Sequence, residues 1–209
     1  MPPATPTSAC TTGDRTVDVP EGPVVSAGGE AGAASGGAAI GVTSAELLAD
    51  AFGRIGETVH GVVDGLSPDQ LAFRVGGTSN SISWLVWHLT RIQDDHLATV
   101  AGEDQAWASS DWAERFGLPF DVTDTGYGHT SRQVAAVTVD EAMLAGYHDD
   151  VLGRTLHFLR SVTDADLNGV VDERWDPPVT LGVRLVSVVN DDMQHAGQAA
   201  YVRGILERG

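Results

Sequence analysis

With 209 residues the chain can bury one sizeable core, or one core beside a tail, and its 29 acidic residues against 12 basic ones leave a formal net charge of -17. That balance disfavours nucleic acid and anionic membrane surfaces, since both require a cationic face. Every basic residue is arginine, which excludes lysine nucleophiles and Schiff bases, and the single Cys10 excludes disulfide frameworks and cysteine-held zinc.

Residues 1 to 43 are rich in Pro, Thr, Ser, Gly and Ala and contain no aromatic residue. Such a segment cannot bury enough to offset its ordering entropy, so it reads as a disordered tail ahead of a domain over residues 44–209. A translation start close to Val42 is an alternative account of the same boundary. No stretch reaches the ~18 apolar residues of a membrane span, and the start lacks the pattern of a signal peptide. A cytoplasmic protein is the expectation.

A first helix begins at Thr43-Ser44-Ala45-Glu46, where Thr43 or Ser44 can cap and Glu46 suits the positive end. Its apolar positions Leu47, Leu48, Ala51, Phe52, Ile55 and Val59 keep helical spacing to about Val63, with His60 exposed near the end. A short capped turn at Leu66 to Leu71 and a loop at Gly76 to Asn80 follow. The second helix runs from Ser81 to about Val100, its inner face marked by Ile82, Leu85, Leu89, Ile92 and Val100. His88 falls on the edge of that face and His96 nearer its centre, so periodicity ranks His96 as the more buried.

From Gly102 to about Thr138 no period is sustained, yet the stretch holds Trp107, Trp112, Phe116, Phe120, Tyr127 and His129. A long aromatic-rich connection is either a lid or pocket wall or a packed excursion. Thr138-Val139-Asp140-Glu141 then opens a third helix to about Val162, with Met143, Leu144, Tyr147, Val151, Leu152, Leu156 and Leu159 inside and His148 and His157 at the surface or flank. Another connection, stopped by Pro177-Pro178, precedes a fourth helix from Leu181 to Leu206. Four amphipathic helices without an alternating strand pattern predict an all-α four-helix bundle.

The fourth helix carries Asn190-Asp191-Asp192-Met193-Gln194-His195 in the middle of its apolar stripe. At ~100° per residue Asp191 and His195 project the same way, and Asp192 lies slightly further round the apolar arc. An unpaired buried carboxylate is costly, so the cluster requires a partner. A divalent metal is one candidate, and a hydrogen-bonded polar cluster that fixes helix register is the other.

Trp87-His88-Leu89 on the second helix, followed some hundred residues later by Asp191-x-x-x-His195-x-Gly197-Gln198, resembles the DinB-like (YfiT-like) superfamily over about residues 44 to 208. The superfamily comprises metal-dependent four-helix bundles, among them mycothiol- and bacillithiol-dependent transferases. The resemblance implies His88, Asp191 and His195 as ligands of a divalent ion, and so places His88 above His96 and Asp191 above Asp192. Aspartate stands where relatives carry His or Glu. Three nitrogen and oxygen ligands leave a position open, as in catalytic sites. Zinc leads the candidate ions, with nickel, iron and manganese accepting the same donors. Asp192 and Gln194 are candidates to orient a ligand, and Arg91, Arg184 or Arg203 to receive a substrate carboxylate. The implied function is a metal-dependent mycothiol S-transferase acting on a small-molecule thiol and an electrophile. A metal-dependent hydrolase and a non-catalytic, stress-related metal-binding bundle are the alternatives. Oligomeric state stays open, a homodimer being common for bundles with an exposed apolar edge.

Overall fold

The computed structural model describes residues 42–208; of the tail expected over residues 1–43, all but Val42 and the helix-capping Thr43 lies outside the described residues. Within them, short polar side chains close the free amides at the heads of three long helices. Thr43 and Glu46 form a reciprocal capping box at the start of α1 (Ser44–Val63), with Thr43 N donating to Glu46 Oε2 at 2.8 Å and Glu46 N donating to Thr43 Oγ1 at 3.2 Å. After a one-turn α2 (Pro68–Leu71), Ser81 accepts from Trp84 N to open α3 (Ile82–Ala101), and Gly102 ends that helix at φ 70°. The connection beyond carries α4 (Ala106–Ser109), α5 (Trp112–Phe116) and α6 (Ser131–Val134). Asp140 caps α7 (Glu141–Leu159), and two short antiparallel strands, β1 (Val170–Asp172) and β2 (Val179–Thr180), lead into α8 (Leu181–Arg208). Strands of this length are too short to show a period in sequence.

The long helices form the all-α bundle that the amphipathic pattern predicts. Both α1 and α3 pack on α7 and on α8, so α1 and α3 stand diagonally opposite. Phe52, Ile55 and Val59 of α1, Leu85 and Leu89 of α3, Leu144 and Val151 of α7, and Leu185 and Val188 of α8 fill the space between.

Periodicity fails on α3, and the reason is physical. Every residue from Ser81 to Arg91 is buried, because α7 and α8 cover two sides and the connection after Gly102 covers another. A helix covered all round has no polar stripe for a period to reveal. The ranking of His96 above His88 is thereby overturned: His88 is buried and His96 only half-buried.

The covering segment is anchored by one polar knot. Asp94 accepts from Ala106 N at 2.9 Å, Trp107 N at 2.8 Å and Tyr147 Oη at 2.8 Å, with Arg91 Nη1 3.5 Å away. Arg91, fully buried, also donates to Gln105 Oε1 and to the carbonyls of Val122 and Asp124. Around the knot Trp107, Trp112 and Phe116 pack on Tyr147 with ring centroids 5.1 to 5.8 Å apart. The aromatic connection is thus a packed wall of the core.

His148, expected at the surface, is instead fully buried. Because α7 touches α1 and α3 at once, its buried arc takes in two neighbouring positions, Tyr147 toward the aromatic wall and His148 toward Gly56 and Thr90. The Thr90 hydroxyl donates to Val86 O at 2.8 Å, so His148 Nδ1 must donate to Thr90 Oγ1, leaving Nε2 without a partner among the described residues. Burial pulls its pKa from 6.5 down to about 4.

Two outcomes follow for stability. Asp94→Ala strands Arg91 without its counter-charge and three donors without their acceptor, and urea unfolding will show a loss of about 3–5 kcal/mol. For His148, the unfolded chain takes up its proton first as pH falls below 6.5, so stability present above that value is lost on the way down to about 4. That loss amounts to about 3 kcal/mol. A His148→Gln variant will lack it, which the difference between the two stability-versus-pH curves measures.

Candidate metal centre

α3 presents His88, and the packed α8 presents Asp191 and His195 on successive turns. One donor atom from each of the three lies within 4.8 Å of the other two. The imidazole centroids are 4.7 Å apart and nearly perpendicular, at 81°. Trp84 stacks on His88 at 4.6 Å and 16° and presents its ring at 6.4 Å to His195, forming an apolar wall.

The protons of both rings follow from their neighbours. His88 Nδ1 lies 2.5 Å from Thr125 O, and His195 Nδ1 lies 2.9 Å from Asp191 O. A carbonyl only accepts, so each Nδ1 carries the hydrogen and each neutral ring offers the lone pair of Nε2. Asp191 Oδ2 is buried and has no hydrogen-bond partner among the described residues. It sits 3.2 Å from His195 Nδ1, whose proton is directed at the main-chain carbonyl.

Electrostatics sharpen the arrangement. Burial pulls the His88 pKa down, the Thr125 contact opposing it and His195 adding to it, so this ring stays neutral. Burial also acts downward on His195, but the Asp191 carboxylate and carbonyl outweigh it and raise its pKa. Asp191 is pushed up by burial and pulled further down by His195, His88 and His96, which keeps it ionised. Two imidazoles and one carboxylate with an unpartnered oxygen make a donor set that fits a divalent ion.

Other residues singled out in sequence stand elsewhere. Asp192 is fully buried in the α8 core stripe between Val188 and Ala196, neither oxygen has a partner among the described residues, and burial raises its pKa well above the carboxylate range. It makes no hydrogen bond to His88 or His195. Gln194 is exposed and donates to Asn190 O. The groups that orient the rings are instead the carbonyls of Thr125 and Asp191, which no residue-type pattern can reveal. Arg91 is enclosed in the knot with Asp94, and Arg203 is engaged by Glu207 and Asp64 O. Arg184 gives one nitrogen to Asp172, which holds Arg174 as well.

Asp124, His129 and Trp84, unassigned in sequence, complete the surroundings. Trp84 Nε1 donates to His129 Nδ1 at 3.1 Å, and His129 Nε2 donates to the Asp124 carboxylate at 3.0 Å.

A solved structure, described as a conserved protein of a locus from Enterococcus faecalis, is similar at a TM-score of 0.72 and 29% identity, covering 78% of this chain and 96% of that one. No curated protein matches the chain. The family model described as mycothiol-S-transferase matches residues 47–208, which take in all four long helices and the His88, Asp191 and His195 cluster. The chain belongs to the mycothiol-S-transferase family of DinB-like bundles.

Proposed function

We propose that the chain is a metal-dependent S-transferase that joins the sulfur of a low-molecular-weight thiol, mycothiol by family, to a small electrophile. The observation that carries the reading is the convergence of His88, Asp191 and His195 within 4.8 Å, with both Nδ1 protons directed at main-chain carbonyls. Zinc, nickel, iron and manganese all suit the donors. A divalent cation held there supplies Lewis acidity, which lowers the pKa of a thiol and makes thiolate available at neutral pH.

The chain's own residues account for the rest. His88, buried under Trp84, is kept neutral and is fixed by Thr125 O. Asp191 contributes one negative charge to the set, while burial favours the neutral form of Asp192 beside it. The transfer itself balances simply: the S–H proton passes to solvent, a C–S bond forms, and a leaving group departs with its electron pair. None of the described helices is long and apolar enough to cross a membrane. A cytoplasmic site of action is part of the proposal, since small-molecule thiols are maintained in reducing compartments.

Two measurements test this reading. Metal analysis of untagged protein by plasma mass spectrometry will give near-stoichiometric divalent ion, and the His88→Ala, His195→Ala double variant will have lost it; equal content in the two proteins rejects the ligand set. With mycothiol and monochlorobimane, the loaded protein will accelerate formation of the fluorescent thioether, and chelation or the double variant will abolish the acceleration. A rate equal to the uncatalysed one rejects the transferase reading, and metal-dependent release from ester or amide substrates would replace it with the hydrolase.

A further inference from the structure

The excursion between α3 and α7 does more at one point than cover the core. At Asp124-Thr125-Gly126 its backbone turns directly onto His88. Gly126 has φ 93°, a conformation side chains other than glycine's rarely adopt, and its N–H donates to Asp124 Oδ1 at 2.8 Å. A Cβ at Gly126 would lie 2.9 Å from His88 Nδ1, 2.9 Å from Trp87 Cζ3 and 3.2 Å from Trp84 Cζ2. The backbone therefore approaches the imidazole as closely as glycine alone permits, and this approach brings Thr125 O to His88 Nδ1.

Several attachments of the turn lead back to α3. Asp124 O accepts from Arg91 Nε at 3.2 Å, and Val122 O accepts from Arg91 Nη2 at 3.4 Å. The Asp124 carboxylate accepts from His129 Nε2, and His129 in turn accepts from the indole N–H of Trp84, the ring that stacks on His88. His129 is held from both sides, by Trp87 with centroids 5.7 Å apart and by Phe120 at 4.7 Å. Trp84, Trp87, His88 and Arg91 occupy successive i, i+3 and i+4 positions of one helix. One face of α3 thus fixes the turn, and the turn fixes one residue of that face.

We propose that Asp124 and Gly126 are positioning residues for the metal centre: they hold the Thr125 carbonyl on His88 Nδ1, fix the ring as its Nδ1–H tautomer, and so aim the Nε2 lone pair at the shared site. The inference rests on the ligand set proposed above. A main-chain carbonyl in this position removes the choice that a free imidazole has between two nitrogens. The Thr125 side chain plays no part, because the contact is made by the backbone. Loss of such an orienting partner costs metal affinity about 10- to 100-fold where it has been removed from comparable sites.

The test combines a spectroscopic and a thermodynamic readout. In metal-free, 15N-histidine-labelled full-length protein, long-range 1H–15N spectra, with His88 assigned by its absence from His88→Gln, will show Nδ1 protonated and Nε2 bare. Gly126→Ala and Asp124→Ala will each move His88 toward the opposite tautomer or a mixture. Both will bind Zn2+ more weakly than wild type in a chelator competition, and thermal unfolding in the metal-free state confirms that each remains folded. An Nε2–H tautomer in the wild type overturns the proposal, as does unchanged Zn2+ affinity in folded variants. If wild type binds no Zn2+, the ligand set and the positioning role fall together; if wild type binds and the variants bind equally well, the positioning role falls alone. Should one variant fail to fold, the other and the wild-type tautomer still decide the question.

Discussion

A buried imidazole has two nitrogens to provide for, and in a neutral ring one must donate while the other accepts or coordinates. Around His88 the whole excursion between α3 and α7 is arranged to satisfy the first of these. Its outer turns are pinned by Asp94, Arg91 and Tyr147, its aromatic side chains fill the wall against α3 and α7, and its inner turn delivers the Thr125 carbonyl. On α8 the same need is met more economically, since His195 turns its Nδ1 to the carbonyl one helical turn behind it. In both cases the donor nitrogen is settled by main chain, which leaves the second nitrogen of each ring to carry the lone pair when the ring is neutral.

That division also explains what was legible in the sequence. Helix starts were readable because caps are side chains: Thr43, Ser81 and Asp140 all stand where short polar residues precede an apolar stripe. The α8 pair was readable because i, i+4 spacing puts Asp191 and His195 on one face wherever that helix packs. The choice of His88 came from the resemblance and ran against periodicity, and α3 shows why: enclosed on all sides, it erases the contrast on which periodicity depends. His148 was misjudged for a related reason, since a helix packed against two partners buries a wider arc than one inner stripe. The Thr125 carbonyl was beyond reach, because any residue supplies a carbonyl and only the path of the chain decides where it goes. Asp124 and Gly126 did leave a trace, an Asx–Gly turn in an aromatic stretch, but such a turn names no target.

The two neighbouring carboxyl groups of α8 show how burial assigns roles to chemically identical side chains. Asp191 lies at the edge of the bundle, where imidazoles and partial exposure keep it ionised, whereas one residue later Asp192 enters the core stripe, where burial favours its neutral form. Environments that push two like groups apart in this way define which of them carries charge. The consequence is electrostatic. Had both been ionised beside a divalent ion, the protein would have cancelled its charge and left no attraction for an incoming anion. On the proposed ligand set, with a single carboxylate, a divalent ion would keep a net positive charge in a partly buried site beneath Trp84, where the low dielectric would strengthen its pull. On the proposed function, such a site would favour the deprotonated form of a thiol over the neutral one, and the same bias would work against neutral ligands that bring no charge to satisfy it. On the proposed ligand set, the aspartate at position 191 would therefore act through charge count as well as reach.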